Sequence, residues 1–327
     1  MKHPSAKRTV ALALTAVMLL SGSASALFGK KNQPPQAVEG APVARDIEIS
    51  TYKNIPYQAQ LLASDSEGED LTFALAAEPK KGTVVIDGAN FTYTPNENAL
   101  GGDVFTYTAT DSSGNVSLPA TVTVTIEKTK SGVTYADTGE DVAAAAQCLA
   151  EAGVFTGAQI GGRYYFQPEE EVTRSEFLAM VLETAGREVT DVTMTGFSDD
   201  EAIPTWAKSY VAAGVAEGIV QGKAAAEGPV FRGEESITFS EAATVLDRVL
   251  DMEDVDLEVW YADREAVPSW AAQAVGNMEA VSVLPTASFG SLELEKAVTR
   301  ADAAKMLTAA KTLLTGEEPK GLFDWLK

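Results

Sequence analysis

Histidine and cysteine are nearly absent from this chain of 327 residues, which contains one of each, His3 and Cys148. A Ser-His-Asp triad, a Cys-His catalytic pair and a histidine-ligated zinc site are therefore all excluded. A single cysteine also excludes an internal disulfide. Cys148 lies in the apolar run of residues 142–149, and we expect it to be a buried small hydrophobic residue. Chemistry based on carboxylates alone stays open.

Basic residues are also scarce, because 25 lysines and arginines face 47 acids and the net charge is −22. Such an acidic chain is a poor partner for nucleic acids and for anionic membrane surfaces. The apolar run of residues 9–20 is too short to span a membrane. It follows three bases and precedes the small-residue motif of residues 24–26, which predicts a secretory signal peptide over residues 1–26. Its removal leaves −25 on an exported protein, with 22 bases and 47 acids.

The next part of the chain is predicted to be a β domain. Residues 27–40 contain a Pro-Pro pair and are expected to be an extended leader. Residues 91–94, 104–108 and 120–126 alternate in the manner of strands and are separated by Gly, Asn and Asp turns. This spacing predicts a small antiparallel β-sandwich over residues 41–127, followed by a polar linker over residues 128–134.

The β segment resembles the bacterial Ig-like and cadherin-like domains of surface proteins. The resemblance is carried by residues 65–73, 82–84, 91–95, 103–111 and 122–126. Members of that family often bind calcium between successive copies, whereas this chain has one copy. The resemblance makes four acids weak calcium candidates: Asp65, Glu67, Asp70 and Asp111. The simpler interpretation is an acidic turn in water, so no cofactor is predicted.

The remaining chain is repetitive and predicted to be helical. A pattern of an aromatic residue, any residue and Asp begins at Tyr135, Phe197 and Tyr261, at offsets of 62 and 64 residues, which is typical of an array. A six-residue capping-box motif recurs at 172–177, 237–242 and 298–303, where a threonine hydroxyl and an acid three residues later satisfy helix amides. We divide the array into unit one (135–190), unit two (191–255) and unit three (256–314), followed by a tail over 315–327.

Arginine occupies the first helical position of two of these motifs, as Arg174 and Arg300. The helix dipole gives a cation no advantage there, so one hypothesis is an anion bound beside the free amides of the helix N-terminus. The alternative is an ion pair with a neighbouring acid. Trp206 and Trp270 begin equivalent helices, either as ligand contacts or as ordinary core residues.

Together, these motifs and the glycine turns at residues 153–157 and 218–222 resemble three tandem S-layer homology domains over about 135–312. The resemblance implies an all-α module that attaches exported proteins to a Gram-positive cell wall by binding a pyruvylated secondary cell-wall polysaccharide between repeats. It also implies the binding residues: Arg174, Trp206, Arg300, Trp270, Gly218 and Gly222. Arg174 with Trp206 is the best-preserved pair, and Arg300 is the second candidate.

Each unit departs from the family pattern at one position. Unit one has Asp141 where the tryptophan is expected, and unit two has Phe239 in place of the arginine. Unit three has residues 282–286 in place of the glycine turn. We therefore expect two working grooves at most, with one or none as the alternatives.

The function predicted is a non-catalytic surface protein, anchored by the repeats and displaying one Ig-like spacer or adhesion domain. Its partner would be the wall polysaccharide, with other surface-layer proteins as further candidates. The alternative is a calcium-dependent adhesin in which the repeats are only a scaffold. A carboxylate-based glycan hydrolase is the least favoured hypothesis, because binding and structural modules account for almost the whole chain. The apolar tail residues Leu322, Phe323, Trp325 and Leu326 are expected to dock on the chain's own module or on a partner helix.

Overall fold

The computed structural model describes residues 40–257, 267–284 and 293–315. The signal peptide, the leader up to residue 39, the Tyr261-Ala-Asp263 motif and the tail from residue 316 lie outside the described residues. Two compact units divide the described chain, one built from the β segment and one from residue 128 onwards. No described helix combines the length and apolar character that a membrane span requires.

The β unit is a sandwich of a four-stranded and a three-stranded sheet, in the orders β2-β9-β8-β5 and β3-β7-β6, with β1 and β4 forming a separate pair. Its strands are β1 (Val43–Ala44), β2 (Ile47–Tyr52), β3 (Tyr57–Gln60), β4 (Ala63–Ser64), β5 (Thr72–Ala77), β6 (Gly82–Asp87), β7 (Asn90–Pro95), β8 (Gly101–Thr110) and β9 (Ala120–Glu127). Alternate residues of β2, β7, β8 and β9 are buried, as the period-2 pattern predicted.

The expectation of a purely antiparallel sandwich is wrong at one edge. Strand β2 pairs in parallel with β9, from Ile47 opposite Val122 to Tyr52 opposite Glu127. Strands β3 to β8 separate β2 from β9 in the sequence. No hairpin connects β2 and β9, so nothing requires them to run in opposite directions.

One buried carboxylate organises the polar side of the β core. Asp103, 6% exposed, accepts hydrogen bonds from the amides of Lys80, Lys81 and Val104 and from the Tyr93 hydroxyl, at 2.7–3.0 Å. Burial alone would raise the pKa of Asp103, but these donors outweigh it and lower that pKa. The position is therefore structural.

The second unit contains six described helices: α1 (Glu140–Glu151), α2 (Arg174–Thr184), α3 (Lys208–Ala216), α4 (Phe239–Leu250), α5 (Ala272–Ala280) and α6 (Arg300–Thr315). Helix α2 packs against α3, α4 against α5, and α6 against α1, while α2, α4 and α6 also contact one another. Each motif-bearing helix therefore packs on the first helix of the next unit, and the last closes back on the first.

The helical unit is not all-α, contrary to expectation. The loops of the first two units form two-stranded hairpins, β10 (Ala158–Ile160) with β11 (Arg163–Tyr165) and β12 (Lys223–Ala225) with β13 (Gly228–Val230). Both have two-residue turns, the length that hairpins favour.

Three backbone hydrogen bonds join the segments that precede α2, α4 and α6. The amide of Val172 donates to the carbonyl of Val298, the amide of Val298 to that of Ile237, and the amide of Ile237 to that of Val172, at 2.9, 2.8 and 3.0 Å. This cycle holds the three helix N-termini around one axis.

The turn that ends the first helix of each unit is the same in all three. Gly153, Gly218 and Ser282 occupy equivalent positions with φ of 74°, 76° and 54°. In each turn the next two amides donate to one carbonyl of the preceding helix, that of Leu149, Gly214 or Met278. Over residues 282–284, unit three therefore makes the same turn with serine in place of the first glycine.

We expect Ser282→Gly to stabilise the helical unit by about 0.5–1 kcal/mol, because serine is strained in the left-handed region. Gly218→Ala is the matched control and should destabilise by about 1 kcal/mol, since a Cβ there meets no atom within 4 Å and only the backbone conformation changes. Urea denaturation of both variants measures this. A Ser282→Gly variant that is less stable than the parent would contradict the assignment of Ser282 to a strained left-handed conformation.

A second pair of serines tests the packing around the helix N-termini. Among the described residues, the buried Ser175 hydroxyl has no hydrogen-bond partner. The equivalent Ser240 hydroxyl lies 3.0 Å from both the Leu294 carbonyl and the Glu295 carboxylate, and unit three has Ala301 at this position.

We expect Ser175→Ala to raise the free energy of unfolding by about 1 kcal/mol, because a buried hydroxyl without a partner is removed. Ser240→Ala should lower it by a similar amount, since its hydrogen bonds are lost. Denaturation midpoints at unchanged m-value provide the comparison. Equal destabilisation by both substitutions would show that Ser175 has a bonding partner after all.

Candidate functional site

The three predicted capping boxes are confirmed. In unit one the Glu176 amide donates to the Thr173 hydroxyl at 3.2 Å, and the Thr173 amide donates to the Glu176 carboxylate at 2.8 Å. The same reciprocal bonds join Thr238 with Glu241 and Thr299 with Asp302. These bonds fix where α2, α4 and α6 begin.

The amides at these N-termini are not free, which overturns the premise for anion binding there. The amide of Arg174 donates to the Glu235 carbonyl at 2.9 Å, and that of Arg300 to the Glu170 carbonyl at 2.8 Å. The next amide along each helix also donates to a carbonyl of a neighbouring unit, at 2.9–3.0 Å. An anion at this end of the module would therefore have to be bound by side chains.

Arg174 makes the ion pair that the alternative hypothesis expected. Its Nη1 lies 2.7 Å from the Glu241 carboxylate, and both side chains are about one-eighth exposed. Its Nε donates to the Phe231 carbonyl at 3.0 Å, and the guanidinium lies 5.4 Å from the centroid of the Phe231 ring. Arg174 thus bridges units one and two.

Arg300 makes similar contacts on unit one, with a different acid and a different ring. It pairs with Glu170 at 3.0 Å, donates to the Gln167 side chain at 2.9 Å and to the Phe166 carbonyl at 3.4 Å. Its guanidinium lies 5.2 Å from the centroid of the Phe155 ring. Arg300 therefore bridges units three and one. At the remaining junction, Phe239 is 3% exposed and belongs to the apolar core.

Trp206 and Trp270 are solvent-exposed, at 52% and 60%, so the core-packing alternative is wrong for both. Trp206 lies in an open groove of about 790 Å³ between the end of α2 and the start of α3, which Glu183, Arg187, Thr205, Ser209 and Tyr210 also line. The Trp206 and Tyr210 rings lie 6.5 Å apart. The Tyr210 hydroxyl donates to Glu183 at 2.7 Å, and this hydrogen bond raises the pKa of Tyr210.

The structure does not bring Trp206 and Arg174 together. Arg174 is the first residue of α2, whereas the groove of Trp206 is lined by Glu183 near its end. Nine residues of helix rise separate these points by about 14 Å. A ligand that contacts both would have to run along α2.

Gly218 and Gly222 have backbone roles in the described structure. Gly218 ends α3 in the left-handed conformation, with φ of 76°. Gly222 has φ of 73°, and a Cβ there would overlap the Phe197 ring. Both glycines shape the turn that leads into β12.

The aspartate of the repeated aromatic-x-Asp motif has a structural role in units one and two. Asp199 accepts hydrogen bonds from the amides of Phe231 and Arg232 at 2.9 and 2.7 Å. Asp137 does the same with the amides of residues 166 and 167, both at 2.8 Å. The aspartate of the repeated motif therefore fixes the backbone whose carbonyl the arginine of the neighbouring unit contacts. The regular spacing of the aspartates was the available signal.

The four calcium candidates have local partners or stand exposed. Asp65 accepts from the amides of Glu67 and Glu69, and Asp111 accepts from the Asn115 amide and side chain. Glu67 and Asp70 are exposed. Within the described ranges, no three His, Cys, Asp or Glu residues are arranged to hold a metal ion.

Comparison with solved structures finds likeness over less than a third of the chain. An endo-fucoidan hydrolase of glycoside hydrolase family 107, MfFcnA4, is 22% identical over 29% of this chain and 15% of its own, with a TM-score of 0.25. The SrpA adhesin of Streptococcus sanguinis is 15% identical over 30% of this chain and 65% of its own, at 0.21. Titin domain M7 is 12% identical over 27% and 95%, at 0.19. The chain thus spans about a seventh of the length of the hydrolase, and these likenesses carry no inference about activity.

None of the curated proteins compared with the chain matches it. Two family models do match, the bacterial Ig domain over residues 39–126 and the S-layer homology domain over residues 196–243. Neither family is catalytic, and S-layer homology domains bind cell-wall glycans. Residues 39–126 are therefore similar to bacterial Ig domains, and residues 196–243 to S-layer homology domains, a match that suggests non-covalent anchoring to the cell wall.

Proposed function

We propose that all three helical units are S-layer homology repeats and that they anchor an exported protein of a Gram-positive bacterium to its wall. The ligand is a pyruvylated secondary cell-wall polysaccharide, and the Ig domain is a spacer or adhesion unit beyond the anchor. Units one and three are divergent copies of the unit that the family model matches.

The repeat assignment is supported by bonds that units one and three share with unit two. All three have a capping box, a left-handed residue after the first helix, and a place in the backbone cycle of Val172, Ile237 and Val298. Side chains differ between the units while these bonds persist.

The observation that carries glycan binding is the exposure of Trp206 and Trp270. A tryptophan needed only for packing would be buried, because burial of its large apolar surface is where its stabilisation comes from. These two stand 52% and 60% exposed at the same position of two units. An exposed indole face suits the apolar face of a sugar ring. For a pyruvate ketal, the guanidinium groups of Arg174 and Arg300 offer the fork that a carboxylate fits.

We expect Trp206→Ala to weaken binding to purified cell-wall sacculi about tenfold, equivalent to about 1.4 kcal/mol, because the stacking surface is lost. Sedimentation of the mature protein with sacculi measures this, before and after acid removal of the secondary polymer. Met194→Ala, which removes another exposed apolar side chain of unit two (72% exposed), is the control and should bind like the parent. Equal binding to sacculi with and without the polymer would reject the proposed ligand.

The net charge of the mature chain makes a second prediction. Both partners are anionic, so their long-range repulsion should decrease as salt screens exposed charges beyond about 8–10 Å. We expect affinity to rise modestly as salt is first added, the opposite of a basic protein on an anionic polymer. A steep loss of binding from the lowest salt upwards in the same sedimentation assay would contradict this account.

A further inference from the structure

Two cations from different units hold one carboxylate at the junction of units one and two. Arg174 Nη1 lies 2.7 Å from Oε2 of Glu241, and Lys223 Nζ lies 2.7 Å from Oε1. Arg174 begins α2 in unit one, whereas Lys223 begins β12 in unit two. Each carboxylate oxygen therefore contacts its own cation. A ligand carboxylate placed between the two cations would make the same two contacts.

Glu241 divides its bonding between these cations and its own helix cap. The Thr238 amide lies 3.4 Å from its carboxylate, and its own amide lies 3.4 Å from the Thr238 hydroxyl. The corresponding bonds of Glu176, whose carboxylate has no cation beside it among the described ion pairs, are 2.8 and 3.2 Å. The capping-box hydrogen bonds of α4 are thus longer than those of α2.

The group is ionised and solvent reaches it from one side. Burial would raise the pKa of Glu241, but the hydrogen bond from Lys223 and the charge of Arg174 outweigh it and lower that pKa. Two cations and one anion leave a local charge of +1. The side chains of Arg174 and Glu241 are 12% and 13% exposed, while that of Lys223 is 46% exposed. A ligand would approach past Lys223.

We propose that Arg174 and Lys223 together form a carboxylate-binding site at the junction of units one and two, and that Glu241 occupies it until a ligand carboxylate takes its place. The inference rests on the proposed function and adds to it a second ligand-binding cation, Lys223, and a resident competitor, Glu241. The ligand class is a glycan-borne carboxylate such as a pyruvate ketal.

When Glu241 leaves the two cations, its carboxylate gains a closer contact with its own helix cap. Once released, its carboxylate can close fully on the Thr238 amide, in the geometry that Glu176 already shows on Thr173. The ligand carboxylate then replaces it on both cations, so no buried charge is left without a partner.

The other arginine junction lacks this arrangement. In the first hairpin, Ala158 lies opposite the residue before Phe166. In the second hairpin, Lys223 lies opposite the residue before Phe231, so Ala158 and Lys223 occupy equivalent positions. Arg300 pairs with Glu170, which is 49% exposed, rather than with the capping Glu176. Of the two arginine junctions, the one between units one and two therefore carries the second cation.

The test is calorimetric titration of the full mature chain with the 4,6-pyruvate ketal of a methyl hexopyranoside, and with its uncharged methyl ester. We expect Glu241→Gln to bind the ketal about fivefold more tightly than the parent, because the competitor's charge is removed while glutamine still completes a capping box. Lys223→Ala should bind about fivefold more weakly. Glu176→Gln is the matched control, a capping glutamate without the cations, and should equal the parent.

The outcomes separate this inference from the proposed function. Unchanged or weaker ketal binding by Glu241→Gln, with the thermal unfolding temperature of the parent, overturns the competitor role. Equal binding of ketal and methyl ester by the parent overturns the carboxylate site. If the ketal fails to bind while sacculi are still sedimented in a polymer-dependent way, the inference fails and wall anchoring stands. If sacculi are not bound either, the proposed function fails as well.

Discussion

The helical unit depends on the cycle of three backbone hydrogen bonds among Val172, Ile237 and Val298. Because each bond joins a different pair of units, the cycle is complete only when all three motif-bearing helices are assembled. The same closure brings the first amides of each of these helices against carbonyls of a neighbouring unit. Those amides would otherwise attract anions. The fold therefore uses these backbone amides for its own assembly, and the ligand recognition that we propose would depend on side chains.

Arg174 shows how closely assembly and recognition are joined. Asp199 fixes the Phe231 amide, and Arg174 contacts both the carbonyl and the ring of the same residue. Removing Arg174 would break a junction between units as well as the ligand contact that we propose, so lost binding in that variant would have two causes. Trp206 is half exposed and makes the cleaner probe. Lys223 is similarly exposed and separates the electrostatic contribution from the structural one.

Local signals were predictable from the sequence, and contacts between units were not. The capping boxes and the alternating strands depend on residues a few positions apart, and both were confirmed. The partner of Arg174, in contrast, lies 67 positions away at Glu241, and a period alone does not say which acid an arginine meets. Ser282 adopts the left-handed turn because the two amides after it bond to the Met278 carbonyl as in the glycine turns, so these helix-terminal hydrogen bonds outweigh its intrinsic preference. The hairpin of β10 and β11 was missed although Gly161 and Gly162 marked its turn.

The side-chain differences between the units are consistent with an assembly that is held by backbone hydrogen bonds. Because the closing bonds are made by backbone groups, the side chain at a proposed groove position can differ between units while the cycle of three hydrogen bonds is kept. Phe239 illustrates this, since its amide still donates to a neighbouring carbonyl at 3.2 Å while its ring joins the core. Asp141 stands at the tryptophan position of unit one and pairs with Lys305 of α6. At these two positions, the residue that departs from the repeat pattern thus makes an apolar or ionic contact within the module. If the repeats bind the polymer as we propose, we expect the module to keep its fold with a single working groove, and further grooves to add avidity only where the polymer engages them together.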